Sequence, residues 1–289
     1  MRRTPTSAFA GALLIVAALA GSSASAAQSV PRCMGERATK VGTARGEALT
    51  GTEGDDVIVA RGGDDLVDGR GGNDLVCGGA GDDDLDGYEG HDRLAGGRGA
   101  DELVGDGGGG GFDELRGGPD DDTLEGGAAD DILHGGTGVD TALYVEPAGA
   151  MQIDIGAGTA TGIDGVDTFE AGTIENAGIM TLGYCRPYDD HVVGDDGPNL
   201  LFAGVGNDTL SGGGGDDVIL GGQPVPANND IMCITQDGND TIHGDAGDDE
   251  VHGQGNDDTL DGGEGTDALY GGAGADSCTN AERAEECES

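Results

Sequence analysis

An aliphatic residue recurs every nine residues along most of this chain, and an aspartate stands two residues before it. The first series contains Asp56, Asp65, Asp74, Asp83, Asp92 and Asp101 and, after a three-residue insertion at Gly105–Gly107, Asp113, Asp122, Asp131 and Asp140. The second series contains Asp190, Asn199, Asp208 and Asp217 and, after an interruption at Gln223–Asn229, Asp230, Asp240, Asp249, Asp258, Asp267 and Asp276. A fixed register of this length predicts stacked structural repeats.

One repeat, Gly78–Asp86 (GGAGDDDLD), defines the nine positions used below. Positions one to six are rich in glycine, which supplies the positive φ angles of tight turns, so they predict a turn. Positions seven to nine predict a three-residue strand whose middle side chain, here Leu85, points inward. The sixth-position aspartate, here Asp83, therefore comes at the end of the turn.

The composition limits how such a chain could be stabilised. The 289 residues include 62 glycines, 57 acidic and 13 basic residues, and only 3% are aromatic, with a formal net charge of −44. A thick apolar core is therefore excluded, and composition alone resembles that of a disordered acidic polymer. The charge also makes nucleic acid and anionic membranes poor partners, because like charges repel.

The first residues predict a separate targeting segment. Arg2 and Arg3 precede a short apolar run at residues 8–21, and Ala24-Ser25-Ala26 has the small residues of a cleavage site. This pattern is typical of a secretory signal peptide. A membrane anchor, the alternative, needs about 20 apolar residues. The sequence therefore predicts a secreted protein cleaved near Ala26, without membrane insertion.

Three repeats carry a family resemblance: GGAGDDDLD at Gly78–Asp86, GGGGDDVIL at Gly212–Leu220 and GGEGTDALY at Gly262–Tyr270. They resemble the calcium-binding nonapeptides of RTX (hemolysin-type) repeat proteins. The segment that begins at Cys33, CMGERATKVGTARGEALTGTEGDDVIV, is similar to the corresponding segment of small secreted calcium-binding proteins of actinobacteria. The resemblance implies an all-β, right-handed parallel β-roll in which two nonapeptides form one coil.

We expect two arrays joined by an irregular coil. The expected division is a signal peptide at 1–26, an N-terminal lead-in or cap at 27–50, a first array at 51–143, a joining segment at 144–184, a second array at 185–279 and a C-terminal tail or cap at 280–289. Within the joining segment, Met151, Ile153 and Ile155 alternate with polar residues, which predicts a strand.

The resemblance also assigns the metal ligands. The assigned ligands are the sixth-position aspartates of the repeats: Asp56, Asp65, Asp74, Asp83, Asp92, Asp101, Asp113, Asp122, Asp131, Asp140, Asp190, Asp208, Asp217, Asp240, Asp249, Asp258, Asp267 and Asp276. Asn199 is left out because it has no charge, and Asp230 because its glycine turn is broken. Oxygen ligands on glycine-hinged turns favour several Ca²⁺ ions over Mg²⁺ or Zn²⁺. The fifth-position residues Asp55, Asp64, Asp82 and Asp216 are interpreted as solvated charges.

Six cysteines in an exported chain predict disulfide bonds. Cys77 stands at an outward ninth position from which it can reach Cys33, and Cys278 and Cys287 would close the C-terminal end. Cys185 and Cys233 are left for each other. Free buried thiols are the alternative for the two terminal pairs, and sequence alone does not choose among the connectivities.

The predicted function is a non-catalytic, calcium-binding module outside the cell that folds when calcium binds. No stretch outside the repeats exceeds about forty residues, which leaves no room for a catalytic domain, and no catalytic motif is present. The alternatives are a calcium-dependent adhesin and an accessory folding module associated with an extracellular hydrolase. An extracellular protein or glycan partner is compatible with the sequence but is not specified by it.

Overall fold

The computed structural model describes residues 30–106, 110–180, 186–222 and 238–287. Over these residues the chain forms β-strands and turns without a helix. The strands are β1 (Arg32–Cys33), β2 (Glu36–Arg37), β3 (Lys40–Val41), β4 (Ala48–Thr50), β5 (Val57–Val59), β6 (Leu66–Asp68), β7 (Leu75–Ala80), β8 (Asp84–Asp86), β9 (Arg93–Arg98), β10 (Glu102–Val104), β11 (Glu114–Pro119), β12 (Thr123–Glu125), β13 (Ile132–Thr137), β14 (Thr141–Val145), β15 (Gln152–Asp154), β16 (Thr159–Thr161), β17 (Val166–Phe169), β18 (Asn176–Met180), β19 (His191–Val193), β20 (Leu200–Phe202), β21 (Thr209–Ser211), β22 (Val218–Leu220), β23 (Thr241–His243), β24 (Glu250–Gly255), β25 (Thr259–Asp261), β26 (Ala268–Ala273), β27 (Ser277–Thr279) and β28 (Arg283–Glu285). No helix in this part of the chain is long and apolar enough to cross a membrane.

Alternate strands build two facing sheets of a parallel solenoid. One sheet has the order β28-β26-β24-β22-β20-β18-β14-β12-β10-β8-β6-β4, and the other β27-β25-β23-β21-β19-β15-β16-β17-β13-β11-β9-β7-β5-β3. The register pairs Leu49 with Val67 and Val67 with Leu85, which are eighteen residues apart. The expectation that two nonapeptides make one coil of a β-roll is therefore confirmed.

The core is a file of aliphatic side chains between the two sheets. The eighth-position residues, such as Val76, Leu85, Leu94 and Leu103, are completely buried. Neighbouring strand residues at positions seven and nine face outward, as the alternation of side chains in a strand requires. Some strands are longer than predicted: β7, β9, β11, β13, β24 and β26 extend over six residues, because their pairing continues into the first positions of the next repeat.

The joining segment is more regular than the irregular coil that we predicted at 144–184. It contributes β15, β16 and β17, which pair antiparallel with one another inside an otherwise parallel sheet, while β18 continues the opposite sheet. The predicted strand around Ile153 is confirmed, and the buried side chains of Met151, Ile153 and Ile155 explain it. These residues continue the core between the arrays.

Both ends of the solenoid also differ from simple caps. In the predicted lead-in, β3 pairs with β5 and β4 pairs with β6, so the two sheets begin there. In the predicted tail, β28 pairs with β26. The disulfides Cys33–Cys77 and Cys278–Cys287 are present as expected and connect each end to a neighbouring part of the solenoid. Cys185 and Cys233 lie outside the described residues, as does Asp230.

Candidate metal centres

The sixth-position aspartates form columns in which each coil is bonded to the next. The backbone N–H of Asp74 donates to Oδ1 of Asp92 at 2.7 Å, and that of Asp83 donates to Oδ1 of Asp101 at 2.8 Å. The same bond crosses both breaks in the period, from Asp92 to Asp113 and from Asp208 to Asp240. The aspartates on the two sides of each break therefore stay in register.

The second carboxylate oxygen, Oδ2, is buried and accepts no hydrogen bond at most of these positions. This arrangement is found in Asp65, Asp74, Asp83, Asp92, Asp101, Asp113, Asp122, Asp131, Asp140, Asp217, Asp240, Asp249, Asp267 and Asp276. Buried polar atoms in folded proteins almost always have a partner, because an unpaired one costs free energy. A repeated set of unpaired anionic oxygens therefore points to a cation.

A first-position glycine lies beside nearly all of these oxygens; in the repeat of Asp65 the position holds Ala60. A Cβ atom added to Gly87 would lie 2.5 Å from Oδ2 of Asp92 and 2.7 Å from the carbonyl oxygen of Gly105 on the next coil. At Gly212 the corresponding distances are 2.3 Å to Oδ2 of Asp217 and 2.6 Å to the carbonyl oxygen of Gly244. At these two glycines any side chain would enter the space between a carboxylate and a carbonyl of adjacent coils.

Burial raises the pKa of twelve of the column carboxyls above the ordinary value of 3.8, and in most of them neighbouring carboxylates raise it further. The pKa values rise to about 8 in Asp131, to about 7 in Asp74, Asp101, Asp122, Asp190 and Asp217, and to about 6 in Asp83, Asp92, Asp113, Asp140, Asp240 and Asp249. Without a cation, each charged carboxylate is therefore disfavoured in the folded chain.

Asp56, at the start of one column, has a different environment. Its Oδ2 accepts hydrogen bonds from the backbone N–H and the hydroxyl of Thr52, at 2.7 Å and 2.9 Å. Burial raises the pKa of Asp56, but the hydrogen bonds from Thr39 and Thr52 outweigh this effect and leave the pKa lowered. Protein donors thus already satisfy the oxygen that is unpaired elsewhere in the column.

Three acidic residues outside the two predicted series extend the columns. Oδ1 of Asp167 accepts from the N–H of Asp131 at 2.9 Å, and its Oδ2 accepts from the hydroxyl of Tyr144 at 2.9 Å. Glu175 accepts from the N–H of Asp140, and Glu282 from that of Asp267, both at 2.8 Å. Glu175 and Glu282 were missed because they are out of phase with the nine-residue period; Asp167 is in phase, but no repeat stands between it and Asp140. Asp167 and Glu175 each precede a buried strand residue by two residues.

Asn199 holds a sixth position where an amide donor, rather than a carboxylate, fits the neighbouring coil. Its Nδ2 donates to the carbonyl oxygen of Glu175 at 2.6 Å, whereas the aspartates accept a bond from an N–H at the equivalent place. Its Oδ1 accepts from the N–H of Asp195 at 2.8 Å. A carboxylate here would face the carbonyl of Glu175 with two acceptors and no donor, so the uncharged residue is required by the fold.

Replacing Asn199 with aspartate is expected to destabilise the protein by about 1–3 kcal/mol, the cost of leaving a buried polar group unpaired. Asn73→Asp is the matched control, because Asn73 uses only its Oδ1, as acceptor from the N–H of His91, and aspartate keeps that acceptor. Urea denaturation in calcium measures both variants. Equal stability of the two would contradict the role given to the Asn199 amide.

The fifth-position side chains form a second set of hydrogen bonds, which corrects their interpretation as merely solvated charges. Oδ1 of Asp64 accepts from the N–H of Asp82, and Oδ1 of Asp216 accepts from the N–H of Asp248. Oδ1 of Asp55 accepts in the same way from Asn73. They are solvent-facing, but each bonds the following coil, so their bonds run opposite in direction to those of the sixth-position column.

The donor set decides which cation fits. Carboxylate and carbonyl oxygens converge beside the first-position glycines, and no sulfur or imidazole nitrogen takes part in these cradles as described. Hard oxygen donors on flexible turns suit Ca²⁺, whereas Zn²⁺ prefers cysteine and histidine. The solenoid and its repeated oxygen cradles define a class of protein, the calcium-binding β-roll.

The comparisons with known proteins agree with this class. The RTX calcium-binding nonapeptide repeat matches residues 41–76, 78–109, 107–142, 187–223, 234–269 and 250–278, together more than half of the chain. The chain belongs to the RTX calcium-binding nonapeptide repeat family. No curated protein gave a match.

Proposed function

We propose that this protein is a secreted, non-catalytic module that binds several Ca²⁺ ions and folds when they bind. The observation that carries the proposal is the column of buried Oδ2 atoms without a hydrogen-bond donor. The disulfides at both ends support an oxidising, extracellular location. The signal peptide at 1–26 and the other domain boundaries remain predictions.

The proposed ligands are the sixth-position aspartates predicted from the sequence, except Asp56. Each would contribute Oδ2, and the first-position glycines would contribute carbonyl oxygens from the coil above. Asp56 is left out because Thr52 donates two hydrogen bonds to its Oδ2. Asp167 is not added, because the hydroxyl of Tyr144 occupies its Oδ2.

Electrostatics links the cation to the fold. Adjacent members of a column lie one coil apart, at the strand spacing of about 4.7–4.9 Å, where two unscreened carboxylates repel each other even in a high dielectric. Bound Ca²⁺ supplies positive charge between the coils. Because the unfolded chain holds no preformed site, the free energy of binding becomes free energy of folding. The thin aliphatic core is then sufficient.

The test is a calcium titration of the metal-depleted, oxidised protein at pH 7.5, followed by circular dichroism and by native mass spectrometry. We expect strand structure to appear as several calcium ions bind, with dissociation constants in the range of about 10⁻⁴–10⁻³ M that is typical of extracellular modules. Magnesium at the same concentration is expected to have little effect, and a chelator should reverse the change. An unchanged strand signal in chelator would overturn the proposal.

A further inference from the structure

A cavity of about 430 Å³ lies where the first array meets the joining segment. Its walls come from three parts of the chain: the turns that follow β10 and β12, the end of β14, and the residues around β15 to β17. Cavities of about 300–1,000 Å³ are the usual size of small-molecule sites. This region is distinct from the glycine cradles, which are shaped around single ions.

The cavity wall is acidic. Glu125, Asp164 and Asp167 line it, and no lysine or arginine is among its lining residues. Asp164 is held in place by the N–H of Ala148, which donates to its Oδ2 at 2.9 Å. Asp167 is fixed by Tyr144 and by the N–H of Asp131. Asp164 and Asp167 are therefore oriented by the fold before any ligand arrives.

The rest of the wall is apolar. Val104, Val145, Pro147 and Met151 contribute to the same cavity. Methionine adapts its shape to different neighbours, and aliphatic walls of this kind cover the methylene stem of a cationic side chain. A lone metal ion would leave such a wall without a partner. In addition, the acidic side chains that line the cavity form no group of three or more arranged to hold a metal ion.

We propose that this cavity binds a primary ammonium group carried on an aliphatic stem. The ammonium group bonds the carboxylates of Glu125 and Asp164, and the stem packs against Val104 and Met151. Free polyamines and the lysine side chains of proteins share this chemistry. The site adds a binding function to the solenoid and needs only the folded coils around it.

Isothermal titration calorimetry of the calcium-saturated protein in 0.15 M salt tests the proposal. The probes are 1,5-diaminopentane, for a free polyamine, and Nα-acetyl-lysine methylamide, for a lysine side chain. We expect saturable binding of at least one probe to one site. Binding of the diamine alone identifies a free amine as the ligand, and binding of the lysine derivative alone identifies a protein side chain; either result supports the ammonium site.

The variants separate a built site from diffuse attraction to an acidic surface. Glu125→Gln should weaken binding by at least about tenfold, whereas Glu102→Gln, which removes the same charge from an exposed position of the neighbouring strand β10, should change it by less than about twofold. Asp164→Asn is the second variant and should also weaken binding, because asparagine keeps the acceptor for Ala148. Absence of binding, or equal affinity in all variants, would overturn the proposal. Calcium counts by native mass spectrometry keep this result separate from the calcium function.

Discussion

Alanine in place of Gly87 is expected to remove one calcium ion from the saturated protein and to lower its thermal midpoint. The new methyl group would lie 2.5 Å from Oδ2 of Asp92 and 2.7 Å from the carbonyl oxygen of Gly105, so both proposed ligands must move apart. The φ angle of Gly87 is not in the left-handed region, so alanine adds no backbone strain. Overpacking alone costs about 1–3 kcal/mol.

The matched control is Gly54→Ala in the same array. Gly54 lies in a turn, its φ angle is also outside the left-handed region, and a Cβ atom there would meet nothing within 4 Å. Native mass spectrometry should count the same number of ions in Gly54→Ala as in the wild type, and one fewer in Gly87→Ala. The same count in all three proteins would show that the cradle beside Asp92 holds no ion.

Acid is expected to fold the metal-free chain. Twelve carboxyls of the columns have pKa values raised to about 6 to 8 in the folded state, for example about 8 in Asp131 and about 7 in Asp101, against an ordinary value of 3.8 in the unfolded chain. Folding therefore takes up protons. Below about pH 4 these carboxyls are protonated in both the folded and the unfolded state, so their ionisation does not oppose folding. The free-energy cost of ionising them in the folded state grows as the pH rises and is complete above about pH 8.

Circular dichroism of metal-depleted protein between pH 8 and pH 4.5 measures this effect. The strand signal should increase as the pH falls. Acid is expected to have the opposite effect on calcium binding. Protons compete with the ion for the same oxygens, so the apparent calcium affinity falls below about pH 7. A metal-free chain that stays unfolded throughout this range would show that charge repulsion is not what prevents folding.

Much of this architecture can be predicted from the sequence because its determinants are local. The nine-residue period places Asp83 and Leu85 two residues apart in one repeat, and it predicts the inward aliphatic file, the stacked coils and the aspartate columns. The outward position of Cys77 also made Cys33 its expected partner, and the structure contains this disulfide. The spacing along the chain indicates which side chains face inward or outward, and the family resemblance supplies the two repeats in each coil.

The parts that could not be predicted depend on contacts between distant coils. The amide of Asn199 donates a hydrogen bond to the carbonyl oxygen of Glu175, twenty-four residues away. Nothing in the repeat of Asn199 indicates that a donor is required there. Asp167 joins the column only because the antiparallel strands β15 to β17 return the chain to the edge of β13. A weaker local signal does exist, because Asp167 precedes the buried Phe169 by two residues, as in the repeats.

The direction of the hydrogen bonds in the columns determines the order in which the coils can form. From Asp56 to Asp267, the backbone N–H of every described sixth-position aspartate donates to a carboxylate that comes later in the chain, as that of Asp56 does to Asp74, eighteen residues on. A chain that emerges from its amino terminus therefore cannot complete a coil until the next coil has followed it. Assembly should then lag behind emergence by one coil, and Glu282, which bonds the N–H of Asp267, ends the process.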